Sequence, residues 1–448
     1  MSARGEFSSR LGFIFAAAGS AVGLGNVWGF PTQVASNGGA AFVLVYIILA
    51  FALAYPVLMA ELVIGRATRS NMVDALGKIT GSPIGRATGI WGFITVSLIL
   101  AFYALVAGVM MSFCVAAVGD LTGLDGLSNW FTADMSSDTA IYRNIIFCGL
   151  FMILTAFIVS GGVKDGIERW SVRLMPALLI IISLLIVYVL TQDGAMEGLK
   201  NYLLPDFSKV FKPELLLSAM GQAFFSMSLG VGTMLVYGSY ISKTEKLSTL
   251  GASVALVDIG VAILAGLLII PAMYVAAHNG VEIFSDSGEL IAGPSLIFAV
   301  LPALFDTMGG AGNAIAFAFF ALMIIAAVTS SISMLEVPVA YIVESKGVGR
   351  KKSVWLIGSA IFAASIVIAF NFEQLFGWVI ALTTQYSQPL LGLMLCIFLG
   401  WVWKRNNILQ ELKHGDEQVE HSLFWKIWPW YVRFVCPVII IFMFYHSL

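Results

Sequence analysis

The stretch that decides the fold runs from Gly12 to Pro31 and reads GFIFAAAGSAVGLGNVWGFP. Its first half is apolar enough to enter a bilayer. Its centre is not that of an ordinary helix, because Gly19, Gly23 and Gly25 cluster there with Ser20 and Asn26. Glycine lacks a Cβ, which lowers the barrier to leaving helical geometry. Backbone that unwinds at membrane depth must find partners, so it persists only where it lines a cavity or binds something. A break leaves two half-helices. The end of the first presents bare carbonyls, which attract a cation, and the start of the second presents bare N–H groups, which attract a carboxylate. The competing reading is a packing face, since Gly19 and Gly23 have small-xxx-small spacing.

A second stretch, Gly221–Tyr240, reads GQAFFSMSLGVGTMLVYGSY and is interrupted in the same way by Ser226, Ser228, Gly230 and Gly232. Paired interruptions in two halves of a chain point to a transporter's binding site. The whole chain fits that setting. Of 448 residues, 59% are hydrophobic and 11% charged, against about 25% charged in soluble domains. Mean hydropathy is +0.92. Lipid is therefore the expected solvent, and a net charge of −2 gives no sign of a nucleic-acid partner.

Apolar runs between charged loops predict eleven spans, near 11–35, 40–65, 88–118, 141–160, 168–191, 214–240, 248–277, 310–342, 351–370, 374–403 and 424–446. The interrupted spans are the first and sixth. Five spans is an odd offset, so the two halves would lie upside down relative to each other. The chain then reads as one transporter domain: repeat one over about 11–191, repeat two over about 214–403, and a peripheral helix over about 424–446. Four of the 24 lysines and arginines (Arg143, Lys200, Lys209, Lys212) fall on one side of this arrangement and the rest on the other. The bias predicts a cytoplasmic N-terminus in a multi-pass protein of the cell (inner) membrane. No cleavable signal is expected ahead of the first span.

Two further spans carry chemistry. Asp258 sits in ASVALVDIGVAILAGLLIIP (Ala252–Pro271) with no lysine or arginine in that span. A carboxylate at such depth costs several kcal/mol unless paired, so it reads as a cation ligand or as an acid reaching headgroups from the span's end. AAVTSSISMLE (Ala326–Glu336) puts Thr329, Ser330, Ser331 and Ser333 in the bilayer. Any one hydroxyl there could bond back to its own helix, but a cluster of hard oxygens suits a hard cation. Glu61 and Glu336 are further acids at membrane depth, expected to be paired structurally. The four cysteines (Cys114, Cys148, Cys396, Cys436) lie in or beside apolar runs at spacings that suggest neither a metal site nor a disulfide framework.

GSAVGLGNVWGFP, GQAFFSMSLGVG and AAVTSSI, with the NGGAAF (Asn37–Phe42) and KDGIER (Lys164–Arg169) loops, resemble signature segments of the neurotransmitter:sodium symporters, in particular their bacterial amino-acid carriers. The resemblance extends over essentially the whole chain. It implies an all-α integral membrane fold of the leucine-transporter type, with eleven helices, an inverted 5+5 repeat and discontinuous helices 1 and 6. It also implies sites. Sodium site one would use the carbonyl of Ala21 and the side chains of Asn26, Ser226 and Asp258. Site two would use the carbonyls of Gly19, Val22 and Ala326 and the hydroxyls of Thr329 and Ser330. The substrate would lie against Ser20, Leu24, Gly25, Ile99, Tyr103, Phe225, Ser228, Val231, Ser331 and Met334, with Tyr103 donating to its carboxylate. An inner gate would involve Arg4, Phe7 and Glu344.

This sequence departs from the family's pattern in four places. Several members have arginine where Gly29 stands and an acid within the stretch matching Leu375–Trp378, so an outer charged gate is missing here. Asp258 stands where the leucine transporter has asparagine. Its charge should tighten sodium binding and remove the need for chloride. Gly23 stands where monoamine carriers have aspartate, which argues for a substrate that brings its own carboxylate. Val231 replaces an aromatic residue and enlarges the pocket. The expected function is sodium-coupled uptake of a neutral, hydrophobic or aromatic amino acid by alternating access, with sodium as the ion and no organic cofactor. A proton-coupled carrier or a substrate-gated channel stays open as an alternative. No nucleophile–base pair suggests an enzyme.

Overall fold

Long apolar runs become helices here because lipid offers the backbone no hydrogen-bond partner. The computed structural model describes residues 5–122, 128–208, 210–285 and 290–447. Among the described residues, nine helices are long and apolar enough to cross a bilayer, and a bent pair counted as one span makes a tenth. The bent pair is α1 (Arg10–Ala21) and α2 (Phe30–Ser36), joined through a π-helical turn at Gly25–Gly29. The long helices are α3 (Ala40–Thr68), α4 (Pro83–Thr122), α5 (Ile141–Ser160) and α6 (Val163–Leu190). After them come α7 (Pro213–Ser226) and α8 (Thr233–Gly238). The chain continues with α9 (Leu247–His278), α10 (Gly310–Lys346), α11 (Arg350–Phe370), α12 (Phe372–Val402) and α13 (Leu423–Phe442).

The eleven expected spans meet these helices one for one except at α7 and α8. There the break itself cuts the span into pieces of 14 and 6 residues, each too short to cross alone. Apart from an isolated bridge between Phe284 and Leu290, no β-structure occurs among the described residues. The outward faces carry large apolar side chains, such as Phe157, Leu184 and Val187, as lipid contact requires.

The core is built around α4 and α10, which pack along each other, with α1 against α9, α10 and α6. Small residues make the close approaches possible. A Cβ on Gly65 would stand 2.0 Å from the carbonyl oxygen of Leu235, so α3 and α8 touch through bare backbone. Both expected breaks exist. The helix axis turns by 51° between α1 and α2. Between α7 and α8, Ser228, Gly230 and Gly232 take positive φ of 50°, 84° and 81°. Left-handed geometry suits the two glycines but strains Ser228, which has a Cβ.

Two buried acids account for themselves structurally. Glu61 of α3 accepts from the backbone N–H of Gly230 (2.7 Å) and Leu235 (3.1 Å), so a carboxylate holds the broken segment in place. Glu336 of α10 accepts from Arg350 (2.6 Å) and Tyr240 (2.7 Å). Arg143, read from sequence as a loop charge, is instead fully buried, with its guanidinium donating to the carbonyls of Phe131 and Ala133.

Candidate substrate and ion site

The two breaks meet at the centre of the molecule. At the first, Val22 leaves helical geometry with φ −73° and ψ 91°. The next N–H groups turn to side chains. Gly23 donates to Asn26 Oδ1 (3.4 Å) and Leu24 donates to Tyr103 Oη (3.2 Å). An accepting tyrosine hydroxyl keeps its own proton to give.

Ala21, Asn26, Ser226 and Asp258 come together as one group. Asp258 is fully buried. It accepts from Asn26 Nδ2 (2.7 Å) and from Ser226 Oγ (2.9 Å to Oδ2, 3.1 Å to Oδ1). Asn26 also donates to the Asp258 carbonyl (3.1 Å). These partners are neutral, and no lysine or arginine among the described residues pairs with Asp258. Ala21 and Ser226 line the small cavity beside this cluster. Sequence reasoning missed Tyr46 of α3, which donates to Ser226 Oγ (3.2 Å). A tyrosine inside an apolar run carries no periodic signal.

Gly19, Ala326, Thr329 and Ser330 also meet, where the end of α1 crosses α10. A Cβ on Gly19 would stand 3.1 Å from Thr329 Cβ. Ser330 Oγ donates across to the Ser20 carbonyl (3.1 Å), while Thr329 bonds back to the Ile325 and Ala326 carbonyls (3.1 Å each).

Leu24, Gly25, Ile99, Tyr103, Phe225, Ser228, Val231 and Met334 line one small cavity of about 20 Å³. Two of the expected substrate residues do not. Ser331 shares a hydrogen bond with Thr155 of α5 (2.8 Å) and bonds back to Val328 (2.9 Å), so its hydroxyl is engaged away from this cavity. Successive helical residues point about 100° apart, and a run of hydroxyls cannot all face one way. Ser20 turns its hydroxyl to Ser333 (2.6 Å) and offers the site only its carbonyl, which accepts from Ser228 and Ser330. Val96 and Gln388, both unforeseen, also line it.

A larger cavity of about 580 Å³ lies beyond, on the side of α2 away from the N-terminus. It shares Leu24, Tyr103, Phe225 and Gln388 with the small one. Its wall holds Trp28, Phe102, Leu217 and Ile380 with Gln33, Gln222 and Gln385, so aromatic and amide groups stand where a charged gate was missing. The N-terminal end is closed. Phe7 donates its N–H to the Tyr240 carbonyl (3.2 Å) and sets its ring edge-on to Phe13, Tyr237 and Tyr240. Glu344 accepts from Asn71, through both its backbone N–H (2.8 Å) and its side chain (3.1 Å). Arg4 lies outside the described residues. Arg66, fully buried, donates to Glu411 Oε1 (2.6 Å) and to the carbonyls of Glu245 and Glu411, an ionic lock absent from the sequence reading.

Comparison with known proteins fits this geometry. The model of the sodium:neurotransmitter symporter family matches residues 4–145 and 133–448. An uncharacterized sodium-dependent transporter of Bacillus subtilis is 34% identical, over 98% of this chain and 96% of its own length. A sodium-dependent transporter of Haemophilus influenzae is 33% identical, over 99% and 98%. The crystal structure of MhsT in complex with L-phenylalanine superposes with a TM-score of 0.85 at 36% identity, covering 99% of this chain and all of that one. The fold is thus of the leucine-transporter type, and the chain belongs to the sodium:neurotransmitter symporter family as a sodium-dependent transporter rather than an enzyme.

Proposed function

We propose that this protein carries a neutral, apolar or aromatic amino acid into the cell together with sodium, by alternating access. The observation that carries the reading is Asp258, a fully buried carboxylate held by neutral donors at the point where two helices are broken. A buried charge without a counter-charge is costly, and a sodium ion among Ala21, Asn26, Ser226 and Asp258 would supply one. The carboxylate of an amino acid, reached by Tyr103, would add a ligand to the same ion. Each ligand then binds better when the other is present, which is the source of coupling. A second ion at Gly19, Val22, Ala326, Thr329 and Ser330 would tie α1 to α10.

The side-chain preference rests on Val96, Ile99, Val231 and Met334 in the cavity wall, and on the phenylalanine bound by the related MhsT. With Gly23 in place of an acid, the substrate brings the carboxylate itself. Asp258 supplies the negative charge beside the ion, so chloride is not needed. The excess of lysine and arginine at the closed end supports a cytoplasmic position for that end and the N-terminus. The membrane potential then adds about 2.3 kcal/mol per charge per 100 mV to the sodium gradient. Spans 1, 2, 6 and 7, the two broken ones with α3 and α9, would tilt against the rest to open the inside.

Purified protein in liposomes tests this directly. Uptake of radiolabelled phenylalanine or leucine should require an inward sodium gradient and survive replacement of chloride by gluconate. Uptake that is unchanged in choline but driven by a pH gradient would select the proton-coupled alternative, with Asp258 as the titrating group. Ion conductance without substrate would select a channel.

A further inference from the structure

Gln388 opens the α-helical second half of α12, directly after a π-helical segment at Ala381–Ser387. A π segment shifts side chains out of helical register, and such segments are frequent at functional sites. This one faces the large cavity with Thr384 and Gln385. Gln388 itself is 3% exposed and stands in the wall of both cavities. Its Oε1 is fully buried and has no hydrogen-bond partner. Buried amide oxygens nearly always have one, so an exception calls for an explanation.

The main chain of Gln388 fixes where the residue sits in the site. A Cβ on Gly230 would stand 2.4 Å from the Gln388 carbonyl oxygen, so α12 touches the broken segment between α7 and α8 backbone to backbone. Val231 comes next in that segment. With Val96, Ile99 and Met334 it forms the apolar part of the small cavity. Gln388 therefore borders the region assigned above to the substrate's side chain.

We propose that Gln388 is a specificity-determining residue, whose unpaired Oε1 accepts a hydrogen bond from a donor at the tip of the substrate's side chain. The inference rests on the amino-acid reading of the site. An aliphatic or phenyl side chain leaves the oxygen unpaired, whereas a phenolic hydroxyl satisfies it. Sites built around a buried polar group reject analogues that leave that group without a partner. The preferred class is thus an aromatic amino acid bearing a hydroxyl or ring N–H, held among apolar walls.

The test measures equilibrium binding to the full-length protein in sodium with L-tyrosine, L-phenylalanine and 4-methyl-L-phenylalanine. The last matches tyrosine in size and lacks the donor. The wild type should bind tyrosine about tenfold or more tighter than 4-methylphenylalanine. That ratio should fall to near one in Gln388→Met and in Gln388→Leu. A wild-type ratio near one overturns the proposal whether or not the variants fold, and so does a ratio that survives in either variant. Failure of all three compounds to bind the wild type in sodium would overturn this inference, and failure of L-leucine as well would overturn the amino-acid reading itself.

Discussion

At the residue scale the decisive group is Asp258. Its carboxylate is fully buried among Asn26, Ser226 and, one bond further out, Tyr46. Asp258→Asn keeps the shape and an oxygen ligand but removes the charge. Hydrogen bonds and contacts to charged groups contribute about 1.5–3 kcal/mol, so the sodium concentration for half-maximal uptake should rise at least tenfold. Uptake should also become sensitive to chloride, which would then supply the missing charge. A sodium titration of the variant in chloride and in gluconate checks both, and unchanged sodium dependence would remove Asp258 from the ion site. Asp258 was legible in the sequence because an acid in an apolar run has few explanations. Gln388 and Tyr46 were not, since each is a single polar group whose importance depends on a neighbour from a distant span. Ser331 shows the opposite difficulty. It sits in a cluster that reads as one site, yet the helix turns it toward Thr155.

At the element scale the protein depends on two helices staying broken, and the sequence announced both breaks through their glycines. What it left hidden was how the breaks are held. Glu61 reaches from α3 to the N–H groups of Gly230 in the second break and Leu235 in the first turn of α8, a contact between positions far apart in the chain. Gly230 combines a φ of 84° with backbone contact to Gln388. Gly230→Ala should therefore abolish transport, because its Cβ meets a carbonyl oxygen rather than a flexible side chain. Gly280→Ala, also at positive φ (85°) but with open space around it, should cost only the backbone strain of about 1–2 kcal/mol and leave uptake intact. Parallel uptake and thermal-unfolding measurements separate the two.

A second link between elements lies outside the membrane. Asp74 accepts from Asn71 (2.8 Å) and Ser345 (2.6 Å), joining the short helix Met72–Thr80 that follows α3 to the end of α10. Burial pushes the Asp74 carboxyl up, but the hydrogen bonds from Ser345 and Asn71 and the charges of Arg86 and Lys78 outweigh it, holding the group below its ordinary 3.8. A depressed folded-state value means the link stabilises fully above that ordinary value and fades as pH falls through the lower one. Between pH 7 and pH 3 the wild type should lose more thermal stability than Asp74→Asn. Equal losses would show that the link contributes nothing.

At the scale of the whole molecule the structure is asymmetric. The N-terminal end is closed by Phe7 with its ring partners and by the buried Arg66–Glu411 pair. The opposite end holds a cavity of about 580 Å³ that shares a wall of four residues with the small one. Under the proposed alternating access, with the closed end cytoplasmic, this would be a form that receives substrate from outside, and filling the small cavity should draw the outer walls together. Ser218 lines the large cavity and has no part in the proposed sites, so Ser218→Cys gives a reporter with little change in volume. Cys114, the one native cysteine that is not fully buried, would be replaced by serine in the same background. In right-side-out vesicles a membrane-impermeant thiol reagent should modify Cys at position 218 readily in sodium alone. Sodium together with a transported amino acid should slow that reaction several-fold, because the shared wall closes over the bound substrate. Breaking the inner lock with Glu411→Gln should shift the balance the other way, since removing one partner of a buried pair costs about 3–5 kcal/mol. The reporter should then react more slowly even without substrate, as the molecule spends less time open to the outside. A modification rate indifferent to substrate would mean that the large cavity is a fixed feature of the surface and not the outer half of a transport path.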